Sequence, residues 1–210
     1  MRKRVTIQSL LVVLFAIVSL TAFADDKDST KNSFSIGGHI GINNASVSSG
    51  IGRTDLFSYT PGINIGAVAN YCFPDLFSVQ LELNLIQKGF GAGSHNSNAV
   101  ALNYLELPIL AKVLFGENKL SGFINIGPTF GYALSANDNR DVLASNISFG
   151  SNFKRFELGF IAGAGAGYKI GIGMITLEAR YGFGLTELAK DSNAKNKGVV
   201  ILFGYIIPIK

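Results

Sequence analysis

From residue 34 onward, bulky apolar side chains recur at every second position, and the positions between them are mostly glycine, asparagine or charged. In 62–73 one face carries Ile63, Ile65, Ala67, Ala69, Tyr71 and Phe73, and the other Gly62, Asn64, Gly66, Val68, Asn70 and Cys72. In 156–169, Phe156, Leu158, Phe160, Ala162, Ala164, Ala166 and Tyr168 alternate with Glu157, Gly159, Ile161, Gly163, Gly165, Gly167 and Lys169. A period of two is the signature of strands, whose successive side chains point to opposite faces. Eight strands are predicted, over 34–45, 62–73, 78–90, 103–115, 122–135, 156–169, 174–186 and 198–209. Helical periodicity is nearly absent, so the fold class is all-β.

The composition of the two faces decides which one points inward. A water-soluble barrel would show water an outer face of lysine, glutamate and threonine, not of glycine. The bulky apolar residues of eight strands would also overfill so narrow an interior. With the faces reversed, glycine suits the lumen and the apolar side chains suit lipid. Strands of 11–13 residues, rising about 3.3 Å per residue and tilted about 40°, reach roughly 28–33 Å, enough for an apolar band about 25 Å tall. Charged residues make up only 15% of the chain, and no apolar run after the first segment is long enough for a spanning helix. The connections 74–77, 116–121 and 170–173 are short, whereas 46–61, 91–102, 136–155 and 187–197 are long and rich in Ser, Asn, Asp and Gly. Short turns at one rim and long loops at the other are the pattern of a transmembrane antiparallel up-and-down β-barrel. The expected localisation is the cell outer membrane of a Gram-negative bacterium, with both termini periplasmic.

The first residues agree. Arg2, Lys3 and Arg4 precede an apolar run over Leu10–Val18, and Ala22 and Ala24 have the small-x-small spacing of a cleavage site. This reads as a signal peptide over 1–24, followed by a polar, flexible periplasmic lead-in over 25–33 and a barrel over 34–210. Removing the signal takes away three of the 18 basic residues and leaves 15 against 14 acidic ones. The chain's positive charge therefore belongs mostly to the signal and gives no case for nucleic acid. With a single cysteine, no internal disulfide is available.

The stretch "LNYLELPILAKV", 102–113, tests the inside-out reading, because Glu106, Pro108 and Lys112 interrupt an apolar strand. Alternation puts all three on the lumen side. If strands 78–90 and 103–115 pair so that opposed residue numbers sum to 194, Glu82 faces Lys112 and Glu106 faces Lys88, with Pro108 opposite Ile86. Opposed charges of this kind stabilise a strand pair. Because proline cannot donate to a ladder, a missing bond or a bulge is expected at Pro108. In the hairpin over 156–186, a sum of 343 sets Gly163 against Arg180 and Gly165 against Glu178. The expected lumen charges are Glu82, Glu106, Glu157 and Glu178 with Lys88, Lys112, Lys169 and Arg180, four of each sign. Such a set reads first as a structural plug, with an ion or proton path as the alternative. Tyr71, Phe73, Phe115, Tyr168, Tyr181, Phe183, Phe203 and Tyr205 are expected in interfacial aromatic girdles.

Catalytic signals are weak. His39 is expected in the lumen and His95 in a loop, where "SHNS" is not by itself a triad. The run "GAGAG" (163–167) lies inside an alternating strand with no helix after it, which argues against dinucleotide binding. No cofactor or metal is called for. A membrane-embedded lipid hydrolase, a narrow pore and a secreted lipocalin-like binder are the alternatives to a non-enzymatic barrel that is structural, adhesive or partner-binding through its loops.

Four segments, "LNYLELPILAKV", "INIGPTFGY" (124–132), "FELGFIAGAGAGYKI" (156–170) and "LEARYGFGLTEL" (177–188), together resemble the PorT-like outer-membrane β-barrel family, whose members are often called simply porin family proteins. The resemblance implies a small outer-membrane barrel with a cleaved signal and no catalytic residues to carry over. The partners it implies are outer-membrane lipid and lipopolysaccharide, the barrel-insertion machinery, and possible secretion-system or surface partners. The C-terminal "FGYIIPIK" departs from the aromatic ending common in such barrels, since Pro208 and Lys210 interrupt it.

Overall fold

The computed structural model describes residues 33–48, 57–74, 77–92, 99–116, 119–138, 153–187 and 195–209. The expected signal peptide with Ala22 and Ala24, most of the lead-in, and His95 lie outside the described residues. Eight strands follow one another: β1 (Ser33–Ser48), β2 (Phe57–Cys72), β3 (Phe77–Ala92), β4 (Ala99–Phe115), β5 (Leu120–Asp138), β6 (Phe156–Ile170), β7 (Gly173–Gly184) and β8 (Lys195–Ile209). Each pairs antiparallel with the next, and β1 pairs with β8 from Phe34↔Ile209 to Ser48↔Lys195, closing the barrel. Closure leaves no sheet edge, so every strand finds its backbone partners within the wall, as a hydrocarbon environment requires. Among the described residues no helix is long and apolar enough to cross a membrane.

The faces are those expected from the alternation. Outward positions such as Ile40, Ile63, Leu85, Ile124 and Phe203 are exposed, while the inward Asn43, Asn64, Asn84, Glu106 and Glu178 are buried. Several strands run further toward the long loops than the pattern implies: β2 starts at Phe57 and β5 continues to Asp138. Backbone pairing carries these ends past the alternating pattern, out to Phe57↔Ala92 and Val100↔Asp138. At the short rim, Gly116 (φ +107°) and Gly171 (φ +58°) take left-handed conformations in the β4–β5 and β6–β7 turns, which side chains disfavour.

The β6–β7 register is the one expected, with Gly163↔Arg180 and Gly165↔Glu178. The β3–β4 register is not. Leu81 pairs with Ile109, Asn84 with Glu106 and Lys88 with Leu102, a shift of four residues from the expected alignment. Because four is even, every side chain stays on its expected face. Glu82 is therefore not opposite Lys112, nor Glu106 opposite Lys88, nor Pro108 opposite Ile86. Pro108 is fully buried and pairs with Thr129 on β5. On its β3 side the pairing lapses between Leu81↔Ile109 and Asn84↔Glu106 without a change of register. The missing proline N–H is thus met by a gap in the ladder, not by a bulge. The irregularity in β4 lies instead at Asn103/Tyr104, against β5.

Candidate functional site: a charged lumen

The inward positions of β1 and β3–β8 build the site. In β3, Ser78, Gln80, Glu82 and Asn84 stack on one face, each 2% exposed or less. In β7, Thr176, Glu178 and Arg180 share the inward face and are also buried. Arg180 is the hub of the half nearer the short turns. Its Nη1 and Nη2 donate to both oxygens of Glu82, at 2.7 and 2.6 Å, across the barrel from β7 to β3. Nη2 also donates to Glu178 Oε2 at 2.9 Å, and Nε bonds the other Glu178 oxygen. Planar, bidentate pairing to carboxylate suits guanidinium geometry. The remaining lone pairs are taken by amides: Asn84 Nδ2 donates to Glu82 at 3.0 Å, Asn125 Nδ2 to Glu178 at 2.7 Å, and Gln80 Nε2 to Glu82. A Cβ at Gly163 would sit 2.8 Å from Arg180 Cγ and 3.0 Å from Glu178 Oε1, so only glycine fits opposite the hub.

Lys112 joins this half without a direct carboxylate. Its Nζ donates to Gln80 Oε1 at 3.0 Å and lies 3.9 Å from the centre of the Phe123 ring. His39 is in the lumen as expected, 8% exposed, with Nε2 unbonded among the described residues. It stands beside Gly66, where a Cβ would lie 2.7 Å from Nε2.

The half nearer the long loops is organised by Lys88. Its Nζ bonds Glu106 at 2.6 Å and Glu157 at 2.8 Å and sits 5.1 Å from the Tyr104 ring centre. Asn196 Nδ2 donates to the second oxygen of Glu157. A cavity of about 40 Å³, room for a few waters, lies here and reaches down to Arg180. A second space of about 10 Å³, beside His39, Gln80 and Lys112, meets Arg180 from the other side. Arg180 thus stands between the two spaces.

The expected charge balance does not hold. Lys169 keeps the lumen register, but it is exposed at the rim opposite Met174. Water can solvate its ammonium there, so it has no need of the plug. Among the described lumen residues, Glu82, Glu106, Glu157 and Glu178 therefore face Lys88, Lys112 and Arg180, with the uncompensated carboxylate in the Lys88 half. The eight aromatic residues expected in girdles are all on the exposed wall. Tyr71, Phe73, Phe115, Tyr168 and Tyr205 lie toward the short-turn rim, and Tyr71 and Phe73 meet edge to face at 5.0 Å. Tyr181 and Phe183 lie toward the other rim. Phe203 does not lie near a rim: it pairs with Ile40 and Leu177 well inside the wall. Sequence reasoning did not single out the amides Gln80, Asn84, Asn125 and Asn196. Their inward parity, alternating with the charges, was the available signal.

The model of the Outer membrane protein beta-barrel domain family matches residues 23–190. The chain belongs to that family. The barrel is accordingly a protein of the cell outer membrane that crosses lipid with strands. In fold it is similar to Neisserial surface protein A (TM-score 0.55, 13% identity, 84% of this chain and 98% of that one). It is also similar to OprG from Pseudomonas aeruginosa (TM-score 0.52, 13% identity, 85% of this chain and 95% of that one). No curated protein matches the sequence. The lumen of this outer-membrane barrel holds no group of three or more His, Cys, Asp or Glu among its described residues that could bind a metal.

Proposed function

We propose that the protein is a closed outer-membrane barrel whose work is structural, adhesive or partner-binding, done through the loops at its long rim and not through its lumen. The observation that carries this reading is the Glu82–Arg180–Glu178 bridge, which spans the interior from β3 to β7 and separates the two small spaces. Both carboxylates and the guanidinium are at least nine-tenths buried, so no path wide enough for a hydrated solute runs past them. The buried charges act as a plug, and the aromatic residues near the rims as interfacial anchors. A purified sample in a planar lipid bilayer is expected to give no steady conductance. Steady channels of uniform size would overturn the closed reading.

The lipid-hydrolase alternative draws no support from His39, whose Nε2 has no hydrogen-bond partner among the described residues. The PorT-like segments favour an accessory role in protein secretion as the alternative. Crosslinking in cells separates the two, since that role requires recovery of secretion-machinery subunits with the barrel.

A further inference from the structure

The Lys88 half of the lumen has one carboxylate more than it has cations, and charge, an orphaned acceptor and open room meet at the same place. Lys88 Nζ bonds Glu106 Oε2 and Glu157 Oε1, so one ammonium serves two carboxylates, both at least nine-tenths buried. The neighbouring cations do not make up the difference. Arg180 is committed to Glu82 and Glu178, and Lys112 bonds Gln80 in the other half, where His39 also lies. Lys197 borders the upper end of the cavity from the outward register, opposite Phe183. Arg155 is exposed and does not border the cavity.

The orphaned acceptor belongs to Asn196, which is 4% exposed and lines the same cavity. Its Nδ2 donates to Glu157 Oε2, and because a carboxylate only accepts, this fixes which way the amide points. Oδ1 is left with no hydrogen-bond partner among the described residues. Among those residues Glu106 is bonded through Oε2 alone. The room is the cavity of about 40 Å³, which reaches from Lys88 and Glu157 to Gly182 and Arg180. At roughly 10–15 Å³ for each water centre, it takes about three water-sized groups. Gly182 is not a glycine for want of space. A Cβ there would meet Ile161 Cγ1 at 3.5 Å and Phe160 O at 3.8 Å, which is ordinary contact, whereas a Cβ at Gly163 would collide with the hub. The missing side chain of Gly182 keeps the cavity open.

We propose that this cavity is a binding site for a hydrated alkali-metal cation, sodium or potassium, held by Glu106, Glu157 and Oδ1 of Asn196. A buried charge without a partner is costly, and the ion supplies the partner. The surplus is a single charge, so a monovalent ion balances it. A divalent ion would overshoot and would meet Lys88 on the same carboxylates. The donors are carboxylate and amide oxygens, which suit hard cations. A proton on one carboxylate would also balance the charge, but it needs no cavity, and Gly182 keeps one. Gly184 and Lys197 border the upper end of the space, so the ion enters from the long-loop side. It stops at Arg180, whose bridge closes the floor, and the barrel stays non-conducting. With the ion bound, the Lys88 half is as neutral as the half that Arg180 and Lys112 balance. The site goes beyond a role carried by the loops and does not depend on it.

The test is urea unfolding of the full barrel in phosphatidylcholine vesicles, with sodium or potassium chloride exchanged for tetramethylammonium chloride at fixed ionic strength. Fixed ionic strength removes screening from the comparison, and tetramethylammonium is too bulky for the cavity. The unfolding midpoint is expected to rise saturably with the alkali cation, as it does for a ligand of the folded state alone. Glu106→Gln removes the surplus charge and should abolish that rise, while Glu187→Gln on the outer rim should keep it. Gly182→Ala, which the wall accommodates, should raise the half-saturating concentration about fivefold with heat-modifiable gel mobility intact. Thallium(I), a heavy stand-in for potassium, should give an anomalous peak beside Glu106, Glu157 and Asn196 in crystals of the barrel. A midpoint that ignores the alkali cation would overturn the proposal, and so would an unchanged response in Glu106→Gln or in Gly182→Ala. A carboxylic-acid band in the infrared spectrum at neutral pH, lost in Glu106→Gln, would also overturn it, because a proton would then balance the charge.

Discussion

In the half of the lumen nearer the short turns, one arginine holds two carboxylates; in the half nearer the long loops, one lysine does. Arg180 makes bidentate contact with Glu82, is 3% exposed, and has amides on the far sides of both its partners. Lys88 makes single bonds to Glu106 and Glu157 beside a water-sized cavity, and its side chain is 13% exposed. In each half a cation taken from water is held between two carboxylates. The halves differ in how replaceable the cation is. A planar fork held at three of its nitrogens has no substitute in place, whereas a point charge beside a cavity can be replaced in part by water.

That difference orders the expected effects. Arg180→Met should be the most damaging change, because it strands Glu82 and Glu178 as buried carboxylates. A loss of about 3–5 kcal/mol is expected, measured by urea unfolding of the barrel in lipid vesicles. Adding Glu82→Gln should recover part of the loss. Lys88→Met should cost less, about 1–3 kcal/mol, since water can reach Glu106 and Glu157. A cost equal to that of Arg180→Met would break the contrast between the halves.

Gly163→Ala probes the hub without removing a charge. The added Cβ must displace Arg180 Cγ or Glu178 Oε1, and overpacking of this kind costs about 1–3 kcal/mol. Its effect should shrink when combined with Arg180→Met, which a double-mutant cycle would show. Lys112→Met should matter least, about 0.5–1 kcal/mol, because Lys112 bonds only a neutral amide and an aromatic face. A loss comparable to that of Lys88→Met would mean that Lys112 compensates Glu82 or Glu178 at a distance, and the short-turn half would then depend on two cations.

Much of this was legible along the chain, and the reason differs from residue to residue. The inward position of Glu82, Glu106, Lys88 and Lys112 follows from parity alone, which any even register preserves. The match of Gly163 with Arg180 was legible because a turn of only two residues, 171–172, ties β6 to β7 and leaves little freedom. The β3–β4 alignment was not, because a long connection joins those strands and allows several even registers. Local opposition of Glu82 with Lys112 looked like the stabilising choice, but the barrel is narrow enough for Glu82 to meet Arg180, 98 residues away. Pro108 was read as a bulge or a missing bond, and the missing bond proved enough. Lys169 shares the lumen parity, yet its place at the rim lets water do what a partner would do deeper in.

The sequence by itself determined the class of the molecule. Period-two alternation, glycine and charge on one face, apolar bulk on the other, and turns alternating short and long admit an eight-stranded membrane barrel, because each is a local property of strands in lipid. Only the tertiary structure decided which charges meet. Closing the sheet brings β3 and β7 within reach of one guanidinium, and that proximity depends on how every strand between them is staggered. No neighbouring residue carries that information, so the partners of Arg180 belong to the barrel as a whole.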